Sequence, residues 1–182
     1  MNVYVIVPEG ISLNDNNQII PSFVFRQVLE YLGNILQKDS KVYFAPANNF
    51  NTKYFEQDIG LQYLLEILKK KNMCCQTFVA KSNINNYIDT MLNAKLLLDQ
   101  YPDLKDIHVE LVCAKLHSKR AKFCFENTGF KIKTTHKIEI EVMKERIVSR
   151  LWYYQYPIIH KIYEYLAFIR DIFLVKFLGK LI

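Results

Sequence analysis

At 182 residues, 51% hydrophobic and 14% aromatic, the chain can bury a sizeable core and does not belong with disordered proteins. Its formal charge of +6 comes with no long Lys/Arg block, no zinc-knuckle spacing and no recognisable nucleic-acid module, which argues against nucleic acid as a partner. The same positive excess suits an anionic small ligand or an acidic membrane surface.

Val3-Tyr-Val-Ile-Val7 is a short apolar run closed by Pro8-Glu9-Gly10, which predicts a first strand buried on both faces. Ser12 to Gln18 reads as a loop. A helix opens at Pro21-Ser22, with Phe23, Val24, Val28, Tyr31, Leu32 and Ile35 recurring at three and four residues. Lys41–Ala45 is a second strand, and a second helix covers about Tyr54 to Lys71, ending in Lys69-Lys-Lys71 where positive charge suits the helix dipole. The third strand is Gln76–Ala80. A third helix covers about Tyr87 to Gln100, stopped by Pro102. Ile107–Cys113 forms the fourth strand and about Ser118 to Asn127 the fourth helix, with Gly129 as a left-handed stop. Lys131–Val142 alternates like a strand with one wet face. Strands alternating with helices predict an α/β fold, a Rossmann-like three-layer domain with a mainly parallel sheet.

A C-terminal extension follows this domain, with the division placed at 1–143 and 144–182. Ile158–Ile182 has a helical pattern, but Lys161, Glu164, Arg170, Asp171, Lys176 and Lys180 interrupt it too often for a membrane span. His160, Glu164 and Asp171 would share one face, and Ile159, Ile162, Leu166, Ile169, Phe173 and Phe177 another. Such a helix buries its apolar face on the domain, on a second copy in a homo-oligomer, or peripherally on an anionic membrane through residues 158–182.

The four cysteines, Cys74, Cys75, Cys113 and Cys124, form no C-x-x-C pair and no metal-ligand spacing with the histidines. Reduced thiols, no metal and a cytoplasmic location follow as expectations, the last supported by an N-terminus that enters a strand without a signal-peptide pattern. Cys113, within a strand, reads as core rather than nucleophile. Neither a G-x-S-x-G elbow, an H-E-x-x-H pair nor a P-loop lysine occurs.

The segment with most chemical content is Leu111–Phe130. It takes the chain from a buried strand through His117 and Arg120 into a helix, and ligands of open α/β sheets bind at such strand ends. His117 and Arg120 could hold a phosphate or carboxylate there, or be an ordinary loop histidine and a solvated arginine. Thr90 and Asn93 lie three apart near a helix start, on one face, either in the same crevice or as local capping groups.

The run Val112-Cys-Ala-Lys-Leu-His117-Ser-Lys-Arg120-Ala121, with Phe125 and Gly129, resembles the "V-T-S-x-x-H-x-x-R-A … F … G" signature of the YdcF/SanA/ElyC family of bacterial proteins. Asp89-Thr90-Met-Leu-Asn93-Ala94 is similar to that family's "n-T-x-e-N-a" motif, and Glu164-Tyr-Leu-Ala to its C-terminal helix. The resemblance covers roughly residues 1–143. It implies a Rossmann-like domain that binds a small, nucleotide-like ligand, with S-adenosylmethionine a candidate cofactor, and a link to the bacterial cell envelope. On this chain it places His117, Arg120, Thr90, Asn93 and an acid at Glu56 or Asp58 in the pocket, with Arg26 and Gly10 at matching positions. His117 would be the general acid or base of any reaction and Arg120 an anion clamp. Some relatives carry an N-terminal membrane anchor; this chain is expected to lack one and to be cytoplasmic or peripheral to the inner membrane. The family's glycine-rich turns are replaced by Pro8-Glu9-Gly10-Ile11 and Ala45-Pro46-Ala47-Asn48, and a usual serine by Tyr87. A changed ligand or a lost activity would follow, and the alternative is a non-catalytic interaction protein working through its C-terminal helix.

Overall fold

The computed structural model describes residues 2–48, 53–82, 89–148 and 151–177. The sequence-based start of the third helix at Tyr87, and Lys180 and Ile182 at the end of the last, lie outside these residues. The fold is α/β, with a five-stranded, all-parallel sheet flanked by helices. Its strands are β1 (Val3–Ile6), β4 (Lys41–Phe44), β5 (Gln76–Val79), β6 (His108–Ala114) and β7 (Lys131–Ile138), in the order β5-β4-β1-β6-β7. The order reverses between β1 and β6, the kind of switch point where the strand ends part to leave a crevice.

Successive side chains of a strand face opposite ways. Tyr4 and Ile6 of β1 join Val42, Phe44 and Val112 against α1 (Phe23–Ile35) and α2 (Glu56–Lys70). Val3, Val5 and Val7 join Tyr43, Leu111 and Cys113 against α3 (Thr90–Gln100) and α4 (Lys115–Thr128). This gives the three layers, and it explains why β1 reads as a continuous apolar run: both of its faces are interior.

Three boundaries differ from the sequence reading. Ser12–Gln18 is not simply a loop, because Ile11–Leu13 (β2) and Ile19–Pro21 (β3) form a hairpin to which Arg146–Ile147 (β8) adds antiparallel to β2. The segment beyond residue 143 therefore contributes to this small second sheet. Glu145, just before β8, accepts hydrogen bonds from the Ser12 hydroxyl and the Phe23 amide and pairs with Arg26 at 2.9 Å. Strand β7 stops at Ile138 rather than Val142, because its partner β6 ends opposite, at Ala114, and leaves nothing to pair with. Helix α4 begins three residues before Ser118, directly out of β6, so His117 and Arg120 lie inside the helix. Gly129 ends it with φ +111°, as expected of a left-handed stop.

The last helix, α5 (Pro157–Phe177), follows a 3₁₀ turn at Trp152–Gln155 and packs on α4. Its inward residues are His160, Glu164, Ala167 and Asp171, while Ile162, Leu166, Ile169 and Phe173 face out. The helix thus docks through its polar face. The expectation that its apolar face buries is not met within this chain.

Gly60 of α2 sits where a Cβ would collide with the fully buried ring of Phe25 in α1. Gly60→Ala is expected to destabilise the domain by about 1–3 kcal/mol through overpacking. Urea denaturation checks this; an unchanged midpoint would mean that the ring can move aside.

Candidate functional site

A cavity of about 360 Å³ opens at the carboxyl ends of the strands. Its lining brings together Glu56, Thr90, Asn93, His117 and Arg120 beneath a wall of Tyr153, Tyr154 and Tyr163. Each of the five comes from the first turns of a helix that follows a strand, which is why residues spread over 64 positions converge.

Thr90 opens α3, whose N-cap Asp89 accepts from the Leu92 amide at 2.9 Å. The Thr90 hydroxyl lies 3.2 Å from His117 Nε2. On the other side of the ring, Nδ1 faces Glu9 Oε2 at 3.4 Å, an ion-pair distance that leaves Nδ1 without a well-aligned hydrogen bond. A carboxyl group facing Nδ1 favours the proton on that nitrogen, so in the neutral ring Nε2 accepts from Thr90. Burial pushes the His117 pKa down, but the Glu9 and Glu164 carboxylates outweigh it and leave the value raised. Thr90, His117 and Glu9 therefore stand in a line, joined by a hydrogen bond on the Thr90 side and by an ion-pair distance on the Glu9 side. The sequence alone gave no such constellation, because Glu9 stands 108 positions from His117.

Glu9 has no exposed surface, and its carboxyl accepts from the Ala114 amide at 3.1 Å and the Tyr154 hydroxyl at 2.7 Å. Glu56 is also buried and accepts from the Gly10 amide at 2.7 Å. Burial lifts its carboxyl to about 8, with the Gly10 hydrogen bond opposing and nearby Glu9 reinforcing the shift. Glu56 is thus the acid at the pocket, and it is uncharged at neutral pH. Asp58, two residues further along and so on a different side of the helix, is exposed and does not line the cavity. Gln57, buried next to Glu56, accepts from the Ala47 amide at 3.0 Å.

Arg120 does not present an open anion clamp. Its Nε and one terminal nitrogen bind Glu164 at 2.7 and 3.0 Å, and the other terminal nitrogen, Nη1, lies 3.7 Å from Asp171. Nη1 is buried and makes no hydrogen bond. Burial disfavours the charge of Arg120, yet Glu164 and Asp171 outweigh this and raise its pKa. Burial likewise works against the Glu164 carboxylate, and His117 and Arg120 reverse the effect and lower its pKa. Arg170, the second arginine at the cavity, is engaged by Asp171 and lies 3.8 Å from Asp89.

Asn93 sits 3.0 Å from the carbonyls of Pro46 and Asp89 with its amide nitrogen turned toward them, tying α3 to the exit of β4. Arg26 is remote from the cavity lining and serves Glu145 and the Pro21 carbonyl. Gly10 keeps φ +93°, but its N–H is spent on Glu56. Cys113 is fully buried and burial drives its thiol pKa far up, which suits core and not nucleophile. Among the described residues, no cluster of His, Cys, Asp and Glu could hold a metal.

The sequence reading missed Glu9 as the central acceptor, treating it only as part of a turn that stands where the resembled family has glycines. It also missed the tyrosine wall. Glu9 could have been suspected, since a glutamate between a fully buried strand and a turn must find donors to be buried at all.

No protein-family model, curated protein or solved structure matches the chain.

Removing Glu164 would leave the buried guanidinium of Arg120 without its main partner. Glu164→Ala is expected to cost about 3–5 kcal/mol in chemical denaturation, and a loss below about 1 kcal/mol would mean the pair is not desolvated as the structure has it. Glu56 gives a pH signature. Its folded pKa, about 8, lies above the ordinary 4.5, so the folded state holds the extra proton between these values and stability falls as pH rises through that window. Glu56→Gln keeps an acceptor for Gly10 but cannot titrate. The melting-temperature difference between variant and wild type should move in the variant's favour from pH 4.5 to 8 and then level off; a flat difference would mean that Glu56 is solvated.

Proposed function

We infer that this chain is a small-ligand-binding protein of YdcF-like type, taking a nucleotide-like ligand in the crevice at the β1/β6 switch point. The observation that carries this reading is the convergence of Glu56, Thr90, Asn93, His117 and Arg120, singled out in sequence, on one cavity of about 360 Å³. That volume falls in the lower part of the range of small-molecule sites, roughly 300–1,000 Å³. Two buried polar atoms without hydrogen-bond partners, His117 Nδ1 and Arg120 Nη1, belong to residues that line it.

Electrostatics narrows the ligand. The backbone donors that a phosphate would use at these turns are occupied: Gly10 by Glu56, Ala47 by Gln57 and Ala114 by Glu9. Both lining guanidinium groups face carboxylates. Such a site disfavours a polyanion and suits a neutral or cationic ligand carrying hydroxyl, amide or purine edges. S-adenosylmethionine, with its sulfonium centre and adenosine, fits this pattern better than a nucleoside triphosphate. The Glu9 carboxyl, buried behind His117, would favour positive charge in the crevice from a distance, protonated Glu56, Thr90 and His117 would meet a polar edge, and the tyrosines would flank a ring. The family resemblance extends the proposal to processes of the bacterial cell envelope.

Thermal-shift measurements with S-adenosylmethionine, adenosine triphosphate and inorganic phosphate test this. At a hundredfold excess over its dissociation constant a ligand stabilises by about 2.7 kcal/mol, or roughly 5–10 °C for a chain of this size. The expected result is a rise with S-adenosylmethionine that His117→Ala removes, and none with phosphate. A rise with the triphosphate alone would overturn the charge argument; none with any nucleotide-like compound would overturn the pocket assignment.

A further inference from the structure

We propose that the outer face of α5 is a docking surface for an anionic lipid bilayer, on which the helix lies parallel to the membrane plane. Among the described residues 17 large hydrophobic side chains are exposed, and 11 of these lie between Trp152 and Phe177. Scattered exposed apolar side chains are ordinary, whereas a contiguous band of them on one helix marks an interaction site. Ile158, Ile162, Leu166, Ile169 and Phe173 recur at three and four residues along one line, with exposures of 77%, 55%, 60%, 47% and 54%.

The charge on α5 is sorted. Its two acidic residues, Glu164 and Asp171, are 5% and 1% exposed and are held inward against Arg120. Lys161 and Lys176 are exposed beside the apolar line. Lys119 of the neighbouring helix α4 lies over the ring of Phe168 at 5.4 Å. The surface presented outward is therefore apolar with a cationic margin and without a carboxylate from its own helix.

This sorting selects the occupant. A second copy pairing face to face would set lysines against lysines with no acid on the face to answer them, whereas anionic headgroups supply the missing countercharge. Aromatic side chains complete the pattern. Trp152, Tyr156 and Tyr165 are all more than half exposed at or beside the helix, and amphipathic rings of this kind prefer the headgroup level. No described helix is long and apolar enough to cross a membrane, so the arrangement is one of lying on the bilayer, not spanning it. The ion pairs to Arg120 fix the helix with its apolar side out before any membrane is met.

Trp152 is the sole tryptophan of the chain, so its emission reports on this surface alone. The full chain would be mixed with vesicles of phosphatidylcholine, and with vesicles in equal parts phosphatidylcholine and phosphatidylglycerol, following Trp152 emission and flotation. The expected result is a blue shift and co-flotation with the phosphatidylglycerol vesicles, reduced by high salt. K161Q/K176Q should partition roughly thirtyfold more weakly, and I162D/F173D should not bind; these four side chains are exposed, and circular dichroism should show both variants folded like the wild type. Equal binding to both vesicle types would overturn the electrostatic part of the proposal. Failure to bind either type would overturn the whole, as would a dimer in light scattering that I162D/F173D converts to monomer, which assigns the face to a second copy.

Discussion

The arrangement depends on one fully buried carboxyl group. Glu9 follows the central strand β1 and has no exposed surface, so each acceptor site it carries must be answered from within the protein. The groups around it come from distant segments: the Ala114 amide at the β6–α4 junction and the Tyr154 hydroxyl of the 3₁₀ turn donate hydrogen bonds, and the ring of His117 stands at an ion-pair distance. Satisfying Glu9 thus draws the strand ends, the start of α4 and the segment leading into α5 to one point. It also accounts for a helix that starts without a side-chain cap of its own. Ala114 is the N-cap of α4, and the carboxyl group that serves its amide belongs to a residue 105 positions earlier, placing negative charge at the positive end of the helix dipole.

A second buried charge system governs α5. Most surface helices bury an apolar stripe and show water a polar one. Here Arg120, emerging from α4 into a dry site, requires carboxylates, and α5 supplies Glu164 and Asp171 on one face. Once those are turned inward, helical geometry turns Ile162, Leu166, Ile169 and Phe173 outward, since they lie on the opposite side of the same cylinder. Cys124 and His160 adapt to the same interface. The Cys124 thiol donates to Asp171 at 3.4 Å, and the His160 ring stacks on Tyr154 at 4.3 Å. Burial lowers the His160 pKa and keeps it neutral beside the arginine.

How much of this could be read from the sequence follows from the range of the interactions. The five sheet strands and the first four helices were legible because apolar periodicity and caps such as Ser22 and Asp89 are local. The β2–β3–β8 sheet was not, since strands of two and three residues carry no periodicity and β8 finds β2 only through tertiary approach. The start of α4 escaped for the reason given above: its capping group is remote. On α5 the two faces were correctly separated in sequence, but which of them turns inward depends on Arg120, and hydrophobicity alone points the wrong way. At the pocket, Thr90, Asn93, His117, Arg120 and Glu56 were identified by motif and position. Asp58 and Glu56 could be told apart only by burial, and Arg26 is held by Glu145, a residue with no sequence signal linking it to that helix.

The turns after β1, β4 and β6 show where the backbone donors at the strand ends go. Bare N–H groups at strand ends are a cradle for anions, and glycine lets a ligand approach them. In this chain the Gly10, Ala47 and Ala114 amides at these turns are donors, and Glu56, Gln57 and Glu9 accept from them. A carboxyl or amide oxygen now occupies the position where a bound anion would have placed its own. On the other side of the crevice His117 Nδ1 and Arg120 Nη1 face Glu9 and Asp171 at 3.4 and 3.7 Å without a hydrogen bond. The backbone donors at these strand ends are thus answered from within the chain, by side chains that the turns themselves and the start of α2 supply.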